Sequence, residues 1–146
     1  MNIDLKILVV AFFASVLGGM IFFLPIMLFD RIFGITALVA GIIPGIVIGY
    51  MWPLKHLKSE EKSLMVTSVI FGIVSVLTGY MLLFIKTFVD ISGGFSLDYM
   101  IMFPEFMFIY ITDSGIAGIL DFVFMALGAY AAYGTARHVI MTRNKN

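Results

Sequence analysis

Residues 32–52 read IFGITALVAGIIPGIVIGYMW, a stretch without one charged side chain. Three further apolar stretches lie at about 7–29, 64–89 and 116–136. A helix of about 20 apolar residues, at 1.5 Å per residue, crosses a hydrocarbon core about 30 Å thick, so each stretch is long enough to span a membrane. The 62% hydrophobic and 12% charged composition agrees. The sequence therefore predicts an all-α integral membrane protein, a four-helix bundle of four spans that forms a single domain over residues 1–146.

The distribution of basic residues predicts the orientation of these spans. Lysine and arginine are enriched in short cytoplasmic loops. If the N-terminus is cytoplasmic, only Arg31 and Lys86 of the nine basic residues fall on the outer side. The basic residues on the inner side are then Lys6, Lys55, Lys58, Lys62, Arg137, Arg143 and Lys145. We therefore expect both termini to be cytoplasmic.

Small residues recur every three or four positions in the second and third spans. Such stripes let helix backbones approach closely in lipid, where no hydrophobic effect drives helices together. We interpret both stripes as helix-packing surfaces that face each other, and a narrow pore or a glycine hinge is the functional alternative. The second span carries Ala37, Gly41, Gly45 and Gly49, and the third carries Ser68, Gly72, Ser75 and Gly79.

The loop between the third and fourth spans has an apolar segment of its own. Gly93-Gly94 is expected to end the preceding helix, and residues 100–111 are apolar except for the Pro104-Glu105 interruption. Twelve residues are too few to cross a bilayer. The pattern indicates a re-entrant or interfacial element that lies against lipid or against the bundle, with the surface of a partner protein as the alternative.

Asp121 is the residue that could carry chemistry, because it is the one acid clearly inside a predicted span. A charged aspartate at the centre of a membrane helix costs roughly 2.5–3.5 kcal/mol, so such side chains usually face protein or water. One interpretation is a protonated Asp121 hydrogen-bonded to Thr78, Ser75 or a backbone carbonyl. The other is a proton or cation site, with Lys86 as the cation nearest in depth.

Several classes of site lack the residues that they need. The chain has no cysteine, which excludes disulfides, thiolate metal ligands and a cysteine nucleophile. His56 and His138 both fall on the predicted cytoplasmic side, too far from Asp121 to act with it. The predicted spans contain no histidine for a haem, no paired aspartates, and no surface for nucleic acid. We therefore expect no enzymatic activity, no metal and no cofactor.

Three pieces of the sequence resemble a group of small, uncharacterised bacterial membrane proteins with four spans. The pieces are Gly18-Gly19, residues 34–50 (GITALVAGIIPGIVIGY) and residues 120–136 (LDFVFMALGAYAAYGTA). Together they make up less than half of the chain. The resemblance implies a four-span fold in a prokaryotic cell membrane, but no activity and no functional residue. Members often carry a soluble zinc-binding segment, which this cysteine-free chain lacks.

Two functional hypotheses follow from these features. The first is a non-enzymatic membrane component that self-associates or joins a larger membrane complex, because the small-residue surface exceeds what four helices need for their own packing. The second is a small oligomeric channel or transporter for ions or protons that uses Asp121. The expected partners are the lipid bilayer and either further copies of this chain or a membrane complex.

Overall fold

Residues 4–29, 34–53, 57–113 and 115–145 are described in the computed structural model, and these ranges contain five α-helices and no strand. The all-α prediction is confirmed. Arg31, Lys55 and His56, which the sequence analysis places in loops, lie outside the described residues. The helices are α1 (Leu5–Phe29), α2 (Gly34–Met51), α3 (Leu57–Ser92), α4 (Asp98–Asp113) and α5 (Ile116–Arg143).

Three of these helices are long and apolar enough to cross a membrane. They are α1, the part of α3 from Glu61 to Ser92, and the part of α5 from Gly118 to Arg143. Helix α2 is apolar as well but shorter, with its apolar part at Ile35–Met51. The length and composition of these helices are compatible with a membrane protein, and a fourth span through α2 stays a prediction.

Helices α1, α2, α3 and α5 pack side by side as two parallel pairs. Along α1 and α3, the Ser15 hydroxyl donates a hydrogen bond to the Phe71 carbonyl at 3.0 Å, and one turn further Gly19 faces Thr78. Along α2 and α5, contacts likewise advance in the same direction on both helices. The pairs run antiparallel to each other, since Ile7 of α1 clusters with Ile48 of α2 and Phe22 of α1 clusters with Ala37 of α2.

The buried apolar side chains form one cluster at each end of this assembly. We call the end that holds the start of α1 and the end of α5 the first end, and the opposite end the second end. The cluster at the first end contains Ile7, Ala11, Ile48, Trp52, Leu64, Ala136 and Ile140. The cluster at the second end contains Phe22, Ile26, Ala37, Ala40, Val76, Tyr80 and Met107.

The small-residue stripe of α2 faces α5. A methyl group added at Gly45 would lie 2.5 Å from the Ala132 carbonyl oxygen, and one at Gly49 would lie 2.8 Å from that of Ala136. Gly41 meets the Gly128 carbonyl in the same way. The expectation that this stripe faces the third span is therefore corrected, because α5 offers small residues at the matching four-residue spacing.

The small residues of α3 face three different helices rather than one. Gly72 lies against Gly128 of α5, and Gly79 lies against Phe22 of α1. The Ser75 hydroxyl donates to the Ala40 carbonyl of α2 at 2.9 Å. Ser68 is fully buried as well. Helix α3 therefore contacts α1, α2 and α5 at positions that carry a glycine or a serine.

The segment between α3 and α5 is a helix with a proline inside it. Helix α3 ends at Ser92, and Gly93 adopts a φ of 76° that favours glycine, with its N–H bonded to the Val89 carbonyl at 2.9 Å. Helix α4 then runs through Pro104 and lies against α3 and α5. It buries Met107 at the second end of the assembly and exposes most of its other apolar side chains.

Candidate functional site

Asp121 lies on the side of α5 that faces α3, and its side chain is only 2% exposed. The Tyr80 hydroxyl donates a hydrogen bond to its Oδ1 atom. Tyr80 is also buried, and its ring packs against Phe22 of α1 with ring centroids 5.3 Å apart. The tyrosine therefore connects the carboxyl group to the packed core at the second end.

The second carboxyl oxygen of Asp121, Oδ2, is buried and has no hydrogen-bond partner among the residues that the structure describes. A buried polar atom without a partner is costly, and the cost is greater for a charged group. A proton, a water molecule or a cation would each reduce that cost at this atom. Asp121 therefore remains a candidate ion or proton site, and the geometry does not specify which ligand it would bind.

Lys86 does not provide the cation for Asp121. Its Nζ atom bonds Asp90 Oδ2 at 2.6 Å, four residues further along α3. Both side chains are well exposed, at 40% and 59%. The depth argument from the sequence placed Lys86 nearest in the membrane, but the side chain points away to an exposed acid at the end of the helix.

The polar partner of Asp121 also differs from those that the sequence suggested. The Thr78 hydroxyl donates to the Val74 carbonyl of its own helix at 2.8 Å, and the Ser75 hydroxyl donates to Ala40. Tyr80 was missed. A signal for it existed, because Tyr80 is the one hydrogen-bonding side chain between Thr78 and Lys86 in the sequence.

Beside Tyr80, a cavity of about 180 Å³ lies between α3 and α4. Rings from both helices form its walls, and the Phe84 and Phe106 centroids are 4.4 Å apart. Thr87 is the polar side chain at its edge, and its hydroxyl donates to the Leu83 carbonyl at 2.9 Å. The other lining residues are Tyr80, Leu83, Phe84, Phe88, Phe106 and Met107.

At the first end, Arg143 closes the end of α2. Its Nη1 atom donates to the carbonyls of Gly49, Tyr50 and Trp52 at 2.8, 2.6 and 3.2 Å. The last carbonyls of a helix have no partner within the helix and carry partial negative charge. In the sequence, Arg143 indicates only the orientation of the spans, and nothing in its spacing shows that it reaches a different helix.

The described residues contain no group of three or more histidines, cysteines or acids that could hold a metal ion. Comparison with known proteins adds no assignment, because no protein-family model, no curated protein and no solved structure matches this chain. The resemblance to small bacterial four-span proteins therefore stays a prediction.

Proposed function

We propose that the chain is a non-enzymatic membrane component of a prokaryotic cell that crosses the bilayer four times and self-associates through α5. Its four spans are α1, α2, α3 and α5, and α4 lies at the outer interface. The observation that carries the self-association is Tyr130, a tyrosine in the middle of α5 whose side chain is 75% exposed.

The distribution of side-chain sizes supports a lipid environment. Glycine, alanine and serine lie at the closest contacts between the helices, and many large apolar side chains cover the outside. Phe13 of α1 is 63% exposed, and Ile70 of α3 is 51% exposed. In water, this much apolar surface is unusual for a monomer. In a bilayer, lipid chains cover this apolar surface. Close packing of small residues then holds the helices together.

The position of α2 supports a fourth span. Its 18 residues extend for about 27 Å at 1.5 Å per residue, close to the thickness of a hydrocarbon core. It runs beside α5, with Gly41 at the level of Gly128 and Gly49 at the level of Ala136. If α5 crosses the membrane, α2 crosses the same layer with it.

Charge supports the orientation with both termini in the cytoplasm. Described basic residues at the first end outnumber those at the second end, where Lys86 is paired with Asp90. Because basic residues favour the cytoplasmic side, the first end is the inner one. The described basic residues at the first end are Lys6, Lys62, Arg137, Arg143 and Lys145.

Tyr130 supports an interface on the outward face of α5. Within the described part of the chain, no hydrogen bond to its hydroxyl is found. Membrane tyrosines are enriched at the two interfaces, where the hydroxyl reaches water. A tyrosine in the middle of a span instead exposes a polar hydroxyl to hydrocarbon, which is unfavourable. Contact with another protein removes this cost.

A second copy of this chain fits that surface. Ala126 and Gly134 lie one turn before and one turn after Tyr130 on the same exposed face, and a methyl group added at Gly134 would meet nothing within 4 Å. Small residues on both sides let a second helix approach closely. In a two-fold dimer, the same face serves both subunits, so each Tyr130 side chain lies against the other α5 and is removed from lipid.

Cysteine cross-linking tests this interface cleanly, because the natural chain has no cysteine. We expect Gly134→Cys to form a cross-linked dimer in native membranes, and Phe12→Cys, at a 51% exposed position of α1, to stay monomeric. Adding Tyr130→Leu should lower the dimer yield of Gly134→Cys. Cross-linking at both positions, or at neither, would count against self-association through α5.

The second candidate function is ion or proton transport that uses Asp121. The unpartnered, buried Oδ2 atom is the observation that favours it. The absence of a second acid or a cation beside it, within the described residues, gives no relay. A flux assay in liposomes separates this function from the first. Flux that is present in the wild type and lost in Asp121→Asn supports transport, and flux that is equal in both removes Asp121 from the mechanism.

A further inference from the structure

The cavity between α3 and α4 is built from apolar groups. The rings of Tyr80, Phe84 and Phe106 form its walls, and the Tyr80 hydroxyl is already engaged with Asp121. Thr87 donates its hydroxyl hydrogen to its own helix. A firmly bound water molecule needs two to four polar partners, and the walls of this cavity, which opens to the surface at Thr87 and Phe106, do not supply them. The walls therefore select an apolar occupant.

The volume of the cavity is sufficient for such an occupant. A cavity of about 150 Å³ with apolar walls stays dry and takes up a molecule the size of benzene. The cavity beside Tyr80 has about 180 Å³. An empty space of this size would leave the surrounding side chains without contacts on one side, which costs stability. A hydrocarbon segment would restore those contacts.

A second cavity adjoins the first on the same seam between α3 and α4, because the two share lining side chains. The second has a volume of about 210 Å³ and shares Phe84, Phe88 and Phe106 with the first. Its other walls are Met102, Ile109 and the exposed acid Glu105. We call the two adjoining cavities together the α3–α4 cleft; they lie side by side along the seam between the helices, with the shared phenylalanine side chains between them.

We propose that the α3–α4 cleft binds one acyl chain of a membrane phospholipid. The shape of the cleft favours a chain over a single ring, and lipid is the apolar molecule that surrounds the helices. Glu105 at the edge argues against a free fatty acid, because its carboxylate would repel that of the ligand. This inference rests on the membrane embedding proposed above.

Tryptophan fluorescence in vesicles of mid-chain-brominated phosphatidylcholine tests the proposal, since bromine quenches a tryptophan that it contacts. The sole tryptophan, Trp52, is first replaced by phenylalanine. Phe84→Trp then places a probe in the cleft wall, where the native side chain is only 4% exposed. Phe22→Trp is the matched buried control outside the cleft, and Ile70→Trp is the lipid-facing control on α3.

We expect the cleft probe to be quenched as strongly as the probe at position 70, and at least twice as strongly as the probe at position 22. Adding Leu83→Phe, which fills the cavity, should return the cleft probe to the level of the probe at position 22. Quenching of the cleft probe no stronger than that of the position 22 probe would overturn the proposal, and so would quenching unchanged by Leu83→Phe. Absent quenching at position 70 would instead contradict the embedding.

A measurement on the unmodified cleft covers the case in which the tryptophan variants do not fold. Native mass spectrometry of the detergent-purified chain should show one retained phospholipid per chain. The Leu83→Phe variant should lose that lipid while keeping the same melting temperature without added lipid to within a few degrees. A retained lipid in equal amount in both proteins would assign it to another surface.

Discussion

Tyr80 of α3 donates a hydrogen bond to Asp121 of α5, and both side chains are at least 95% buried. The bond joins two antiparallel helices near the second end, next to the point where α4 inserts Met107. It satisfies Oδ1 of the carboxyl group but leaves Oδ2 without a partner in the described part of the chain. The Tyr80–Asp121 pair is therefore both a link between helices and a place where a polar ligand would gain a buried contact at Oδ2.

Removal of the tyrosine hydroxyl should destabilise the protein. Tyr80→Phe leaves both carboxyl oxygens of Asp121 buried without a partner, and an unsatisfied buried group costs about 1–3 kcal/mol. We expect the free energy of unfolding in detergent to fall by about that amount. In the background Asp121→Val, the same tyrosine change should cost less than half as much, because no acceptor is left. Tyr50→Phe, at a 63% exposed position, is the control and should have no clear effect.

Equal losses from Tyr80→Phe with and without Asp121 would contradict this account. That result would mean that the Tyr80 hydroxyl contributes to stability through a partner other than Asp121, because the ring itself is unchanged in phenylalanine. A double-mutant comparison is therefore needed, since a single substitution does not separate the lost bond from altered packing.

Loss of the Lys86 ammonium should have little effect. Its pair with Asp90 is exposed on both sides, and exposed ion pairs contribute about 0–1 kcal/mol because water and salt screen them. We expect Lys86→Gln to change the melting temperature in detergent by no more than about 2 °C and to leave any liposome flux unchanged. A large drop in flux would restore Lys86 as a partner of Asp121 in transport.

The sequence predicted the helices well but not their neighbours. Hydrophobic stretches near 20 residues long indicated α1, α3 and α5, and Gly93 indicated the end of α3. Length and composition are properties of one segment, so the sequence contains them directly. The partner of the α2 stripe is a property of two segments, and both α3 and α5 carry small residues at suitable spacing. Spacing alone could not choose between them.

The candidate site shows the same limit. Asp121 was identified because a lone acid in an apolar stretch is unusual at the level of sequence. The contacts of Asp121 could not be identified from the sequence, because they depend on the rotation of α3 about its axis. That rotation buries Tyr80 against α5 and turns Lys86 outward. Arg143 was missed for a related reason, because its acceptors lie more than 90 residues away in the sequence.

Close contact between α2 and α5 should make Gly45 intolerant of a side chain. In Gly45→Ala, the new methyl group would lie 2.5 Å from the Ala132 carbonyl oxygen, so the helices must separate. Overpacking of this kind typically costs about 1–3 kcal/mol. Gly134→Ala is the matched control on α5, because its methyl group meets nothing, and alanine favours helix by up to about 1 kcal/mol.

The measurement for these glycine variants is unfolding of the monomeric fraction in detergent, where contacts between subunits do not contribute. We expect Gly45→Leu to lower the free energy of unfolding more than Gly45→Ala does, because the larger leucine side chain finds no free space between the two helix backbones. If Gly45→Leu were as stable as the wild type, the stripe would face lipid rather than α5, and the packing described for α2 would be wrong.

The cap that Arg143 forms on α2 should contribute more to the free energy of unfolding than the contacts of an exposed arginine usually do. Hydrogen bonds to a charged group contribute about 1.5–3 kcal/mol, and here one guanidinium nitrogen serves three carbonyls. We expect Arg143→Met to lower the free energy of unfolding by about that amount and to shift Trp52 emission to the red, because the end of α2 opens to water. Arg143→Lys should recover part of the loss, since an ammonium group keeps the charge but not the planar geometry.

Arg137→Met is the matched control for Arg143→Met on the same helix. Arg137 is 3.6 Å from Glu61, and both side chains are about half exposed, so its loss should cost less than about 1 kcal/mol. Trp52 is the one tryptophan of the chain, which makes its emission a local report on the end of α2. If both arginine variants lost the same stability with unchanged Trp52 emission, the loss would reflect charge at the membrane surface, and Arg143 would not act as a cap.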